Sequence, residues 1–163
     1  MVHYRVSGIP QPLAGAVRTS LASPQYGHPA HVELATSYGP CRLCLATFRE
    51  GEEERILFTY QPFTDPDALP TPGPVFIHRE DCQRYDDLGF PSTLRHLPLA
   101  VDGYAAGGRV VHQARAGEEP IEQVLDRVFS AGPVTYAHLR NAEAGCFIAR
   151  VERVFSCDEP PVA

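Results

Sequence analysis

One stretch of the chain carries apolar residues at helical spacing, and several others alternate or cluster them as strands do. Between Pro120 and Ala131, Ile121, Val124, Leu125, Val128 and Phe129 fall on one face of a 3.6-residue repeat. Glu118 and Glu119 precede it, Pro120 stands at the first helical position and Gly132-Pro133 follow, so the pattern predicts a helix over 120–131. Leu13 to Leu21 is weakly helical. Arg55 to Tyr60 and Pro74 to His78 are rich in strand formers, and the 13 residues from Pro62 to Pro74 hold five prolines, so they read as two strands joined by a stiff flap at 61–74. The acids at Glu80 and Asp81 suit the first turn of a short helix reaching Tyr85. Arg109 to Ala114 reads as a strand after a flexible, glycine-rich Gly103 to Gly108.

Val134 to Arg140 and Cys146 to Val154 predict a hairpin around Asn141 to Gly145. With Arg140 opposite Cys146, Leu139 faces Phe147 and Ala137 faces Ala149. One face is then apolar, and the other gathers Tyr136, His138, Arg140, Cys146, Ile148 and Arg150. The fold class expected is α+β: one domain over 1–163, with a curved, mostly antiparallel sheet of about five or six strands packed with the 120–131 helix and short helices.

Composition narrows the function more by exclusion than by indication. Of 163 residues, 44% are apolar and 21% charged, a globular balance. The net charge is −6 and neither half of the chain is a basic arm, so no nucleic-acid partner is expected. The start, Met1 to Val6, lacks the pattern of a secretory signal, and no run approaches the ~18 apolar residues of a membrane span. A cytoplasmic, reducing location is expected, where five cysteines with close spacings point to metal binding or thiol chemistry.

Two clusters carry that chemistry. Cys41-Arg-Leu-Cys44 is a CxxC and His78-Arg-Glu-Asp-Cys82 an HxxxC, 33 residues apart. Thiolates and imidazoles are the donors a tetrahedral Zn²⁺ prefers, and a tight turn brings two sulfurs to one ion, in a plan resembling a treble clef or zinc ribbon. Leu45 stands where such knuckles often carry Gly. Reduced thiols beside a hydrogen-bonded histidine is the competing reading. The second cluster is His138, Arg140, Asn141 and Cys146. Here Arg140 and Asn141 are candidate ligand-binding residues, and Cys146 with His138 a candidate nucleophile and acid–base partner. The alternative makes Asn141 and Gly145 turn residues and Cys146 an ordinary strand position.

Both clusters recur in a resemblance. Cys41-Arg-Leu-Cys44-Leu45, Gly51-Glu52 leading to Leu57, Tyr60-Gln-Pro-Phe63, Gly73-Pro-Val-Phe-Ile-His78 with Cys82, and His138-Leu-Arg-Asn-Ala142 with Gly145-Cys146 resemble the bacterial family known as domain of unknown function 1203. Its CRxCL, GPxFxH and HxRNxxxGC patterns are all kept. The resemblance implies a small cytoplasmic protein with a family-like core at 41–155 and carries no activity; residues 1–40 match no motif and are expected to wrap that core. The leading expectation is a zinc-stabilised binding or accessory protein for an unidentified small ligand or protein. The alternatives are a small enzyme using Cys146, with His138 or His78 as acid–base group, and a protein-interaction module without metal.

Overall fold

A computed structural model describes residues 2–155. Six strands, β1 (Val2–Ser7), β5 (Asp86–Leu88), β6 (Leu99–Tyr104), β7 (Val110–Ala116), β8 (Tyr136–Asn141) and β9 (Phe147–Phe155), form an open antiparallel sheet in the order β5-β1-β9-β8-β6-β7. The other three, β2 (His31–Leu34), β3 (Glu54–Tyr60) and β4 (Gly73–His78), form a separate antiparallel sheet with β3 in the middle. Helices α1 (Gln11–Ser20) and α2 (Ile121–Phe129) complete the described elements of any length. The main helix and an antiparallel sheet of six strands, within the expected five or six, are present in a mostly β molecule, but three further strands form a second sheet where one sheet was expected. Pro74 is tolerated because β4 is an edge strand, where a missing N–H interrupts no ladder.

The division gives two apolar clusters. Residues Val101, Ala137, Leu139, Ala149 and Val151 of the large sheet pack on Val124, Leu125, Val128 and Phe129 of α2. Ile56, Phe58, Val75 and Ile77 of the small sheet pack with Ala14 and Val17 of α1. Side chains alternate along β6, so Val101 and Gly103 face α2 while Asp102 and Tyr104 face away from it. Gly103, expected in a flexible loop, is a strand residue with no room for a side chain: a Cβ there would sit 2.7 Å from Val128 and 3.1 Å from Val134. Gly103→Ala is expected to cost about 1–3 kcal/mol by overpacking, read as a lower urea midpoint at unchanged slope.

Two other expectations are corrected. No helix forms at Glu80 to Tyr85, because that backbone is bonded elsewhere: the Tyr85 N–H donates to Leu43 O, Tyr85 O accepts from Gly8, and Cys82 O accepts from the Gln11 amide. The β8–β9 register is shifted. Leu139 faces Ala149 and Arg140 faces Phe147, with an irregularity between them. That irregularity buries Ile148 in the α2-side core and leaves Cys146 in the loop rather than opposite Arg140. Within residues 2–40 the structure describes β1, an inner strand between β9 and β5, the helix α1 and the strand β2.

Candidate functional site

The chain reverses at Cys41–Leu45 because Leu45 adopts a left-handed conformation (φ 62°) and donates its N–H to Cys41 O, while the Cys41 N–H donates to Ala46 O. This knuckle does with leucine what glycine does more easily; Leu45 is fully buried in the α2-side core, which compensates the backbone cost. Gly8 lets β1 run directly past it, since a Cβ at Gly8 would lie 2.2 Å from Leu43 O. His78 ends β4, and Cys82 follows in the loop tied down by Gln11.

These placements bring Cys41, Cys44, His78 and Cys82 together, with one donor atom from each lying within 4.8 Å of all the others. Cys41 Sγ is 3.8 Å from Cys82 Sγ, and Cys44 Sγ is 3.5 Å from His78 Nδ1. On its far side the His78 ring meets Glu53 Oε2 at 3.2 Å, the carboxylate–histidine relation that orients a metal-binding imidazole. The Arg18 guanidinium of α1 lies 3.3 Å from Cys82 Sγ and donates to His78 O. Burial resists ionisation of Cys41, but contacts with Cys44, Cys82 and His78 outweigh it and draw its thiol down, while contacts with Cys41 and Cys82, with burial adding to them, push Cys44 up. Contact with the Cys41 and Cys82 sulfurs raises His78 to about 10 despite burial, so a metal ion entering there displaces protons. Without a helix at the second pair the treble-clef plan is not met; the ligands come from a knuckle, a strand end and a loop.

Three members of the second cluster, His138, Arg140 and Cys146, line a cavity of about 830 Å³ on the face of the large sheet opposite α2. Asp102, Tyr104, His138 and Arg140 form one wall, and Tyr60, Val75 and flap residues including Pro62, Phe63 and Leu69 form the other. Asp102, only 2% exposed, accepts two bonds from Arg140, one at 3.1 Å, plus Gln113 at 3.1 Å and Tyr104 at 3.4 Å. Asp65 of the flap accepts the Gly107 N–H at 2.7 Å and so fastens the flap to the β6–β7 turn.

His138 is packed among Phe63, Tyr104, Tyr136 and Phe147, with ring centroids 4.9–5.4 Å away, and its buried Nε2 has no hydrogen-bond partner. Burial, with the Arg150 charge adding to it, lowers this imidazole from 6.5 to about 3. It is neutral near pH 7. An unfolded chain takes up the proton first, so the stabilisation from neutral His138 is complete above pH 6.5 and is lost as pH falls toward 3, at up to about 1.4 kcal/mol per unit. His138→Phe should therefore flatten the loss of stability across that window in a pH series of urea midpoints.

Asn141 does not line the cavity; its Oδ1 accepts the N–H groups of Glu143 and Ala144 and shapes the β8–β9 loop. Cys146 does line it, and the cation beside its sulfur is Arg42, at 3.1 Å, not Arg140. Arg42 also donates to Phe147 O at 2.6 Å and to Pro40 O. Burial lowers its guanidinium and the Cys146 sulfur partly restores it. Because Arg42 lies between Cys41 and Cys44, the knuckle joins the two clusters. Arg42, Arg18, Glu53 and Asp102 were not singled out in the sequence; the only signal was that Arg42 falls inside the CRxC pattern.

Fold and site together describe a mostly β protein with a Cys₃His group able to hold a metal ion beside an aromatic cavity. The model of the family described as protein of unknown function (DUF1203) matches residues 39–153, so the chain belongs to that family. Neither a curated protein nor a solved structure matches the chain. No described helix is long and apolar enough to cross a membrane.

Proposed function

We propose that this is a zinc-stabilised, cytoplasmic binding protein, in which Zn²⁺ held by Cys41, Cys44, His78 and Cys82 fixes the knuckle and the neighbouring cavity receives a small molecule. The observation that carries the reading is the convergence of four donors from segments 33 residues apart in the chain. Three sulfurs and one imidazole nitrogen suit zinc better than hard cations, and four protein donors leave no open position, as in structural rather than catalytic sites. The oriented imidazole and the Arg18 contact supply the outer support such sites use. The cavity volume lies within the range of small-molecule sites, and its aromatic walls, the Arg140–Asp102 pair and His138 give it both apolar area and a few polar groups.

The same quartet argues against an interaction module without metal. For the enzyme reading, His138 is poorly placed as a proton donor, being neutral near pH 7, and His78 is engaged by Cys44 and Glu53. Protein purified without chelator should carry about one equivalent of zinc per chain by elemental analysis. Less than about a tenth of an equivalent, in folded protein, overturns the proposal.

A further inference from the structure

Arg42 is 4% exposed, and among the described residues no carboxylate pairs with it. Two carbonyl oxygens solvate the guanidinium, but a buried cation calls for a full counter-charge. Of the cluster thiols, Cys82 has a cation of its own in Arg18. The Cys41 sulfur next in the chain also bears on Arg42, but the sulfur in hydrogen-bond contact with it is Cys146 Sγ, at 3.1 Å. The loop presents this sulfur firmly: Asn141 O accepts the Gly145 N–H, Cys146 O accepts the Asn141 N–H, and Gly145 takes the positive φ (81°) the turn requires.

The sulfur faces the cavity, which also contains the buried, unpartnered His138 Nε2. A buried polar atom without a partner is rare, and a ligand atom is one means of completing it. The lining rings of Tyr60, Phe63, Tyr104 and Phe147 favour a flat, apolar body.

We propose that Cys146, held against the Arg42 guanidinium at the cavity wall, is a nucleophile that takes up the electrophilic carbon of a planar, apolar ligand held in this cavity. The inference rests on the reading of the cavity as a small-molecule site. In the step, a sulfur lone pair forms the S–C bond while the bond from that carbon to its leaving group breaks. The leaving group departs with the electron pair as an anion, the thiol proton passes to water, and nothing is oxidised or reduced. Arg42 is a positioning residue that holds the sulfur at the cavity wall; the neutral His138 ring packs against the ligand and offers it a hydrogen bond.

The test is alkylation at pH 7 by iodoacetamide and by monobromobimane, a planar apolar electrophile, with the labelled cysteine located by peptide mass spectrometry and zinc measured on the same sample. A guanidinium in contact with a thiol speeds its alkylation but makes the attacking sulfur intrinsically less nucleophilic, so the net gain expected at Cys146 over N-acetylcysteine is about fivefold to tenfold. The ratio of bimane to iodoacetamide rates should also exceed that of N-acetylcysteine. Arg42→Met should abolish the gain and Arg42→Lys should keep part of it, the latter serving if the former does not fold. Iodoacetamide labelling no faster than N-acetylcysteine overturns the nucleophile, and an unchanged rate ratio overturns the apolar cavity as its ligand site. Fast labelling in zinc-free folded protein leaves this proposal standing and rejects the metal reading instead.

Discussion

Cys41→Ala should release the metal and remove roughly 5 kcal/mol or more of stability, comparable with the whole margin of an ordinary domain. The thiol is buried and touches the three other donors, so its loss opens the coordination shell and leaves Cys44, His78 and Cys82 facing a gap. The damage does not stay local. The knuckle places Leu43 in the small-sheet cluster and Leu45 in the α2-side core, and it carries Arg42 to the β8–β9 loop. Loosening it therefore loosens both clusters at once. Urea denaturation of the variant beside the parent, with zinc quantified on each, checks this; a variant that keeps full stability without metal refutes a structural role.

Arg140→Ala is the second large effect, expected to cost about 2–4 kcal/mol. Asp102 is buried on a sheet face that looks into an aromatic cavity, and Arg140 is the charge that makes its carboxylate tolerable there. Without Arg140, only the Gln113 amide at 3.1 Å and the Tyr104 hydroxyl at 3.4 Å remain. Removing both members, as Asp102→Leu with Arg140→Leu, should recover much of the loss, because no unpaired charge is left behind. A double-mutant cycle in urea measures this directly. Additive losses would show that the two side chains act independently.

The parts of the fold legible in the sequence are those whose signals are local. Helix α2 announces itself through Ile121, Val124, Leu125, Val128 and Phe129 and through its flanking Pro and Gly, and all five side chains are buried. The β3–β4 pairing follows from two strand-forming runs around a proline-rich flap. Strand β6 was hidden because Gly103 reads as the start of a flexible, glycine-rich stretch. Asp102 belongs in a strand only because Arg140, 38 residues later, answers it, and Gly103 because α2 packs against that point. Likewise, nothing local to Glu80 to Tyr85 reveals that Gly8, Gln11 and Leu43 claim its backbone.

The site divides in the same way. The Cys/His quartet was visible because residues able to hold a metal ion must be of particular types at tight spacings. Its supporters, Arg18 and Glu53, act through space from other elements and have no such signature. The hairpin register was misread by two residues because an irregularity between Leu139 and Arg140 cannot be seen in a two-residue periodicity, and with it went the pairing of Cys146 to the wrong arginine.

Zinc-edge X-ray absorption on the protein as purified is the most direct examination of the metal centre. Coordination by Cys41, Cys44, Cys82 and His78 predicts about three sulfurs near ~2.3 Å and one nitrogen near ~2.0 Å, with the sulfur count falling by one in Cys44→Ala. A first shell of oxygen and nitrogen alone, or one that Cys44→Ala leaves unchanged, would contradict it.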